Sequence, residues 1–453
     1  MVWGSSAPSA YFVDRHKRPL ARFSRSMSDR PNILLMISHD LGTHIGPYGF
    51  ESASTPALNR FAEEGITLDR HFVTSPGCSQ SRSSLMTGRY PHSNGQFGLS
   101  HLGWTLNRDE ELLPARLRDH GYSTALFGIW HLHEWTLGGF SQVSDDVSVV
   151  DSSPEGFAEV AGDRAADWLK ENADAKSPFY LHVGFWEAHR PFCGQPGDPS
   201  KLPEPDLEEI QVPDYLPDNE PTRREFYHLQ HSVKAIDAAF DRLLKTLAET
   251  GQAENTLVIF TADHGLPFPR AKGTLYDPGV QVAFMARLPG TTAANLRTTE
   301  LTSNVDVMPT LLDVAGIDTG SRIQGNSLLS LLRGDLALAR QEVFTEKTYH
   351  EHYDPIRSIR TDRFKYIRNF AERPKLVMPS DIYNSPTRQS MTSDADFWNH
   401  RPTEEFYDLE NDPGEVSPLI YHPELTAHRE RLERWMKSTK DPLLDGPIAR
   451  VEA

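Results

Sequence analysis

Histidine and aspartate residues occur at four places where apolar segments of the chain end. They are His39-Asp40, His131, His189 with Arg190, and Asp263-His264. One histidine after a strand is more often structural, but four such places in one chain indicate a single convergent site. The two carboxylates and two imidazoles of the first and last groups are a ligand set for one divalent metal ion. Carboxylates alone suit calcium or magnesium, whereas imidazole shifts the preference toward manganese, zinc or iron.

Cys78 lies in a segment, residues 77–89, whose sequence is compatible with a short helix that begins next to it. Gly77 precedes the cysteine and Arg82 follows it by four positions. A helix N-terminus favours negative charge, because it presents free backbone N–H groups and the positive end of the helix dipole. Together with the four histidine and aspartate groups, this segment makes a metal-dependent hydrolase the leading hypothesis. Taken alone, Cys78 is as often a small buried hydrophobe.

Five further polar residues are candidates for the chemistry of such a site. His131 and His189 could transfer protons or bind an anion. Arg82, Arg190 and Lys272 could stabilise charge. Without the surrounding groups, Arg190 and Lys272 would be interpreted as solvated surface charges.

Alternating strand and helix patterns predict an α/β fold. Apolar, β-branched and aromatic segments predict four buried strands, at residues 33–37, 123–127, 179–185 and 257–261. Helical patterns occur at residues 56–64, 112–120 and 223–250, and a glycine follows each of them. We expect a large central, mostly parallel sheet flanked by helices on both faces. Ligands bind beyond the carboxyl ends of strands in such sheets, which is where the four groups fall.

The C-terminal part of the chain has a different character. Residues 358–369 alternate and carry aromatic side chains, and residues 405–409 precede a turn. We expect a smaller α+β subdomain built on an antiparallel sheet, with a final helix at about residues 423–438. The predicted organisation is a leader at 1–30, extended or disordered, a catalytic α/β domain at 31–340 and a C-terminal subdomain at 341–453.

Composition limits the classes of function. The 453 residues carry a net charge of −17, which argues against nucleic-acid binding but leaves a small anionic substrate open. No apolar run approaches the roughly 20 residues that span a bilayer, and residues 1–30 lack the apolar core of a secretory signal. The two cysteines, Cys78 and Cys193, do not make a disulfide framework. These features favour a cytoplasmic protein without membrane or nucleic-acid partners.

Several motifs together resemble the sulfatase family of the alkaline-phosphatase-like superfamily, over about residues 31–423. They are Pro31-Asn32-Ile33-Leu34, Thr55-Pro56-Ala57-Leu58, Cys78 and Arg82 with Leu85-Met86-Thr87-Gly88, residues 255–265, and Phe406-Tyr407-Asp408-Leu409 with Asp412-Pro413. Residues 265–269, followed by Leu275-Tyr276, are most similar to the heparan N-sulfatase (sulfamidase) branch.

The resemblance implies a modified nucleophile beside a metal ion. Cys78 would be converted to Cα-formylglycine by a formylglycine-generating enzyme, and the hydrate of this residue would attack the substrate. Asp40, Asp263 and His264 correspond by position to metal ligands, His39 is implied as a further ligand, and residue 78 itself contacts the metal.

The resemblance also implies roles for the remaining polar residues. Arg82 would hold the nucleophile and His131 would assist its turnover. His189 and Lys272 would bind the small anionic substrate or protonate its leaving group.

Three features depart from the family pattern. Gln80 stands where the modification signature Cys-x-Pro-x-Arg has proline, so conversion of Cys78 is left open. Ile129 replaces the lysine of the common Gly-Lys-x-His motif, which removes a cation. His39 and His264 stand where the family more often has aspartate and asparagine, which favours manganese or zinc over the expected calcium. Related phosphonate monoester hydrolases and phosphodiesterases also use an Asp-His pair and lack that lysine.

Three functions therefore remain open from the sequence. The first is a metal-dependent hydrolase of sulfate esters or sulfamates that uses formylglycine at position 78. The second is a phosphodiesterase or phosphonate monoester hydrolase on the same scaffold, since a sulfate monoester and a phosphodiester are both singly charged. The third is a catalytically silent protein that binds a metal or an anion, motivated by Gln80 and Ile129. An unmodified Cys78 could itself ligate a softer metal.

Two segments are expected to shape the substrate pocket. They are the acidic, proline-rich residues 193–221, predicted to be a surface excursion, and the loops at residues 348–388. Within the second, His350, His352 and Tyr353 either contribute to the pocket or are exposed loop residues.

Overall fold

The computed structural model of the protein describes residues 30–144, 157–198, 201–335, 340–391 and 399–449. The strands in these ranges are β1 (Asn32–Ser38), β2 (Ile66–Phe72), β3 (Ser123–Gly128), β4 (Gln142–Val143), β5 (Phe179–Phe185), β6 (Thr256–Ala262), β7 (Gln281–Val282), β8 (Phe284–Arg287), β9 (Leu296–Ser303), β10 (Glu342–Tyr349), β11 (Tyr353–Thr361), β12 (Phe364–Asn369) and β13 (Glu404–Asp408). The α-helices are α1 (Pro56–Glu64), α2 (Cys78–Thr87), α3 (Pro91–Asn94), α4 (Leu113–Arg118), α5 (Ala158–Glu171), α6 (Glu220–Glu249), α7 (Asp277–Val280), α8 (Val307–Val314), α9 (Leu329–Leu332), α10 (Ser380–Tyr383), α11 (Pro386–Ser390) and α12 (Pro423–Thr439).

The large sheet is parallel at its centre and mixed at one side. Its strand order is β4-β3-β5-β1-β6-β8-β2-β7, with β9 paired to β2. The four strands predicted from apolar segments, β3, β5, β1 and β6, lie side by side in parallel. Ser38 pairs with both Phe185 and Ala262, so three carboxyl ends meet at one edge. The predicted α/β fold with a mostly parallel central sheet is confirmed.

Helices cover both faces of this sheet because its central strands are apolar on both sides. In β1, Leu34 and Met36 face the core that α5 and α6 complete. The alternate residues Ile33, Leu35 and Ile37 face a second core, completed by α2, α4 and α8. Burial of each such side chain contributes about 1.5–3 kcal/mol relative to exposure. β1 is therefore a rigid base for the residues that follow it.

The longest described helix, α6, begins earlier than the pattern at residues 223–250 predicts. Asn219 caps it by accepting a hydrogen bond from the backbone N–H of Thr222, at 3.1 Å. The predicted apolar stripe is buried, for example at Val233, Ile236 and Phe240. Neither α6 nor any other described helix is both long and apolar enough to cross a membrane.

Other elements differ from expectation for local reasons. Helix α4 is shorter than the predicted 112–120, since it ends at Arg118 and Gly121 adopts a φ of 91°. The patterns did not predict β2, β7, β8 and β9, which are short or carry polar residues and extend the sheet on one side. The described part of the predicted surface excursion contains no strand or helix before α6.

The C-terminal residues form the expected second unit of structure. Strands β10 to β13 make a four-stranded antiparallel sheet, with α12 close to the predicted 423–438. Lys347 Nζ donates to the Gly273 carbonyl oxygen at 2.7 Å, and Lys365 Nζ contacts Asp277 Oδ1 at 2.8 Å, so this sheet is tied to the larger one. The domain limits 31–340 and 341–453 stay predictions. The predicted leader lies outside the described residues, apart from Arg30.

Candidate active site and metal centre

Five side chains from three elements meet at the carboxyl edge of the large sheet. They are His39, Asp40, Cys78, Asp263 and His264, and one donor atom of each lies within 4.8 Å of all the others. β1 leads into the first two, β6 leads into the last two, and α2 begins with the cysteine. All five are at most 3% exposed. We call this set the donor cluster.

The loop after β1 is held by the two neighbouring strands. The backbone N–H of Asp40 donates to Asp263 Oδ1 at 2.9 Å, and the N–H of His39 donates to the Glu187 carbonyl oxygen at 3.0 Å. Asp40 has a φ of 51°, a conformation that costs free energy and persists because these contacts impose it. His39 Nδ1 then lies 2.6 Å from Asp40 Oδ1.

His264 is oriented by a carbonyl group next to it. Its Nδ1 lies 3.0 Å from the Gly265 carbonyl oxygen, to which a protonated Nδ1 donates. Nε2 then faces the donor cluster, 2.9 Å from Asp40 Oδ1 and 3.2 Å from Cys78 Sγ. Imidazole nitrogen, carboxylate oxygen and sulfur converging in this way fit the coordination of a divalent metal ion.

The charges in the cluster attract a cation. Burial lowers the pKa of His39, but Asp263, Cys78 and Asp40 outweigh it and raise that pKa to about 9. Burial likewise lowers the pKa of His264, and Asp40 and Asp263 raise it well above its ordinary value. Positive charge is therefore stabilised where the donors meet, and either protons or a divalent ion can supply it.

Cys78 is the first residue of α2, as the sequence predicts. Gly77 caps the helix in extended conformation, with a φ of −134°. Burial alone would raise the pKa of the Cys78 thiol. The charges of His39, His264 and Lys272 outweigh burial and hold this pKa well below its usual range. Every residue of α2 is buried, which fixes the position of this side chain.

Arg82 extends from α2 to the end of β6. Its Nε donates to Asp263 Oδ2 at 2.9 Å and its Nη1 donates to the Ile129 carbonyl oxygen at 3.3 Å. Its Nη2 is buried and has no hydrogen-bond partner among the described residues. Arg82 thus holds one carboxylate of the cluster and keeps one donor for another group.

His131 lies on the far side of His39. Its Nδ1 is 3.2 Å from His39 Nε2, and the residue has a φ of 58°. Burial lowers the pKa of His131, and contact with Cys78 opposes that shift. A neutral imidazole next to residue 78 can accept a proton from it.

Lys272, His189 and Asp381 border the cluster on another side. Lys272 Nζ donates to Asp40 Oδ2 at 2.6 Å and to Asp381 Oδ2 at 3.0 Å. His189 Nε2 lies 3.8 Å from both of these oxygens and its side chain is 19% exposed. Burial and the charge of Lys272 lower the pKa of His189 to about 4.

The structure brings all the predicted metal and catalytic residues together at the donor cluster and its border. Arg190 does not reach the donor cluster. It forms an ion pair with Glu225, donates from Nε to the Pro267 carbonyl oxygen at 3.0 Å, and packs over Phe192. Its role is to hold the segment after His189 in place.

Two side chains of the site come from the C-terminal part of the chain. Asp381, in α10, has no motif around it, and only its contact with Lys272 reveals it. His350 follows β10 and is 7% exposed, so it is not an exposed loop residue, and its contribution to the substrate pocket stays a prediction. His352 is exposed and Tyr353 is half-buried.

Comparison with known proteins establishes the family of the chain. The model of the sulfatase family matches residues 31–317, more than half of the chain. The chain belongs to the sulfatase family. A second model, for the C-terminal region of N-sulphoglucosamine sulphohydrolase, matches residues 264–390. The resemblance to this family and to its sulfamidase branch is confirmed, and the protein is a sulfatase-type hydrolase.

Individual relatives cover almost the whole chain. Human N-sulphoglucosamine sulphohydrolase is 27% identical over 93% of both chains. An ulvan-active sulfatase of Formosa agariphila is 29% identical over 94% of this chain and 84% of its own. The structure of a 2-O GAG sulfatase has a TM-score of 0.71 at 23% identity, covering 94% of this chain and 95% of that one. A sulfatase from Pseudoalteromonas sp. has a TM-score of 0.67 at 22% identity, over 94% and 93%. These structural matches show a shared fold.

Proposed function

We propose that this sulfatase hydrolyses a sulfate ester or a sulfamate at residue 78, after conversion of Cys78 to formylglycine. The observation that carries the proposal is the donor cluster, which places Cys78 at the start of a buried helix and against two carboxylates and two imidazoles. One divalent ion, manganese, zinc or calcium, would be held by His39, Asp40, Asp263, His264 and residue 78. The matches to N-sulphoglucosamine sulphohydrolase support including sulfamates among the substrates.

The residues of the site divide the chemistry among them. A bound metal ion would stabilise the negative charge that develops on oxygen during the reaction. A hydroxyl of residue 78, in its hydrated formylglycine form, forms the new bond to sulfur as the S–O or S–N bond of the substrate breaks. Arg82 holds Asp263 and orients residue 78. His131 accepts the proton of the second hydroxyl of residue 78, the C–O bond to the sulfate breaks as the aldehyde re-forms, and the sulfate ion leaves.

Lys272 and His189 act on the anion and the leaving group. Lys272 is charged, because Asp381 and Asp40 outweigh the effect of burial and raise its pKa. It binds the sulfate oxygen atoms. His189 Nε2 is partly exposed and exchanges a proton with the leaving oxygen or nitrogen. Because burial and Lys272 lower its pKa to about 4, the ring is neutral near pH 7, with the proton on Nδ1 facing the Arg190 carbonyl oxygen. Nε2 therefore takes up a proton first and passes it on as negative charge develops on the leaving atom.

The decisive experiment joins the chemical state of residue 78 to activity. We expect mass spectrometry of the peptide around Cys78 to show formylglycine, and the protein to turn over a generic aryl sulfate. Replacement of the nucleophile by Cys78→Ala should lower kcat at least about 1,000-fold. Cys193→Ala is the matched control, since Cys193 lies outside the donor cluster and should be replaceable without loss. An active preparation in which residue 78 is wholly unmodified thiol would disprove the nucleophile assignment.

A phosphodiester or phosphonate monoester is the second candidate substrate. It is favoured by the imidazoles of His39 and His264 in the donor cluster and by the buried, uncharged Ile129. We expect kcat/KM to be larger for an aryl sulfate than for the matched aryl phosphodiester, and the reverse order would assign the second function. If wild type shows no activity above His131→Ala on either substrate, the protein is a silent binder of metal or anion.

The proposal also specifies partners and location. It requires a formylglycine-generating enzyme for maturation and a small anionic substrate. From the sequence we further propose a cytoplasmic location with no nucleic-acid or membrane partner, which fractionation of the source cells would test.

A further inference from the structure

His350 is a buried histidine for which the proposed chemistry has no role. It lies in the turn between β10 and β11 and is 7% exposed. Neither of its ring nitrogens has a nitrogen or oxygen hydrogen-bond partner among the described residues, and the polar side chain that faces the ring is the Cys78 thiol, which conversion to formylglycine would remove. The ring is near the Cys78 sulfur and within electrostatic range of Lys272, so it borders the space above residue 78. A buried polar group without a partner costs free energy, which suggests that a ligand completes it.

Gln80 fixes the turn that carries His350. It belongs to the first turn of α2, two residues after Cys78, and is 2% exposed. Its Nε2 donates to the Tyr349 carbonyl oxygen at 2.6 Å. The N–H of Tyr349 donates to the Phe97 carbonyl oxygen at 3.0 Å. The residue before His350 is therefore held to the helix that begins with the nucleophile position.

The charged side chains of the site are already paired, so they offer few hydrogen-bond donors to a bound substrate. Ile129, where the family motif has lysine, is buried and uncharged. Arg82 is paired with Asp263 and keeps only its Nη2 for another group, and Lys272 is shared between two carboxylates. An anion above residue 78 therefore needs additional hydrogen bonds from groups that have no partner inside the protein.

We propose that His350 contacts the substrate by donating a hydrogen bond to an oxygen atom of the sulfate group held at residue 78, and that Gln80 is its positioning residue. This rests on the proposed function of the site. Gln80, which replaces the proline of the modification signature, and His350, which contacts the anion, thus act together. They compensate for the missing lysine at position 129.

Variants at position 350 test the contact. A hydrogen bond to a charged group is worth roughly a 10- to 100-fold change in affinity. We expect His350→Leu to raise KM for an aryl sulfate and the inhibition constant of inorganic sulfate by such a factor, with unchanged mass of the peptide around residue 78. His350→Gln, which keeps a donor near the Nε2 position, should recover part of the loss. His352→Leu, in the same turn but exposed, should match wild type.

A double-mutant cycle tests the positioning role of Gln80. Gln80→Met keeps the length of the side chain and removes the donor. We expect it to weaken sulfate affinity, and the double variant with His350→Leu to be no weaker than His350→Leu alone. Additive losses would overturn the positioning role. So would a Gln80→Met protein that changes the modified fraction at residue 78 while the modified molecules bind sulfate normally.

Calorimetry of inorganic sulfate binding to the metal-loaded protein separates this inference from the proposed function. If wild type hydrolyses aryl sulfate and His350→Leu keeps its KM and sulfate affinity, the inference is wrong and the function stands. If wild type binds sulfate without turnover and His350→Leu abolishes binding, the function is wrong and the contact stands. If wild type neither binds nor hydrolyses, both are wrong.

Discussion

At the scale of single residues, two imidazoles distinguish the donor cluster from one built on oxygen ligands. His264 presents Nε2 to Asp40 and Cys78 because its Nδ1 faces the Gly265 carbonyl oxygen. His39 has the opposite orientation, since its Nδ1 lies 2.6 Å from Asp40 Oδ1 in the cluster and its Nε2 lies 3.2 Å from His131 Nδ1. Imidazole suits transition metals such as zinc and iron, whereas carbonyl and carboxylate oxygens suit calcium. The identity of the metal is therefore expected to depend on these two side chains.

The variant His264→Asn tests this dependence. Replacing the imidazole by an amide oxygen should weaken Mn²⁺ or Zn²⁺ binding at least about 10-fold, while Ca²⁺ binding is unchanged or tighter. Calorimetric metal titration measures this without any activity assay. The exposed His120→Asn is the control and should leave both affinities unchanged. Equal weakening of all metals would show that His264 does not select among them.

At the scale of elements, the C-terminal sheet supports the site through buried ion pairs. Arg357, in β11, is fully buried and contacts Asp441 through Nε at 2.5 Å and Nη2 at 3.1 Å. Its Nη1 also donates to the Lys347 carbonyl oxygen at 2.9 Å, which joins β11 to β10. Glu346 in β10 reaches back to α3 by accepting the backbone N–H of His92 at 2.7 Å. The strand that leads to His350 is thus fixed from both sides.

Breaking the Arg357 pair should destabilise the fold strongly. Arg357→Leu leaves the buried Asp441 carboxylate without its cation, at a cost of about 3–5 kcal/mol. Chemical denaturation should show this loss, and Arg434→Leu, at an exposed position, should change stability little. The double variant Arg357→Leu with Asp441→Leu should recover a substantial part of it, because the unpaired Asp441 carboxylate is gone and Glu346, which lies 3.7 Å from Arg357 Nε, keeps His92 as its partner. A double variant as unstable as the single one would show that packing, and not charge, sets the cost.

At the scale of the whole molecule, buried neutral histidines link stability to pH. Burial lowers the pKa of His44, His71 and His182 to about 3 in each case. The unfolded chain binds protons at these residues below about pH 6.5, while the folded chain does not. The contribution of these neutral histidines to the free energy of unfolding is therefore fully present at neutral pH. It is lost progressively as the pH falls below about 6.5. His44 is the simplest case, since it packs against Phe50 and Phe226 and its ring nitrogens have no hydrogen-bond partner among the described residues.

The variant His44→Leu tests this linkage. Between pH 7.5 and pH 5, one such histidine accounts for about 2 kcal/mol of lost stability. The leucine variant should lose about that much less than wild type over the same interval, as measured by denaturant unfolding at each pH. The exposed His352→Leu serves as the reference and should keep the wild-type pH dependence. An unchanged slope for His44→Leu would show that its ring is not neutral in the folded protein.

The central architecture could be predicted because periodicity is a local property. Apolar segments such as Phe179–Phe185 indicated the parallel strands, and a glycine after residues 56–64 indicated the end of α1. The mixed side of the sheet could not be predicted in the same way. β8 has four residues and β7 two, so their pairing depends on neighbours distant in the chain.

The sequence by itself determined the fold class, the family and the residues that enter the donor cluster. It could do so because each residue of the donor cluster either directly follows a strand or begins a helix, and local sequence patterns indicate both kinds of element. Only the tertiary structure decided that Arg190 turns away, that Asp381 joins Lys272 and that His350 is buried beside residue 78. These placements depend on how the C-terminal sheet packs on the larger one, and packing between distant segments leaves no local pattern in the sequence.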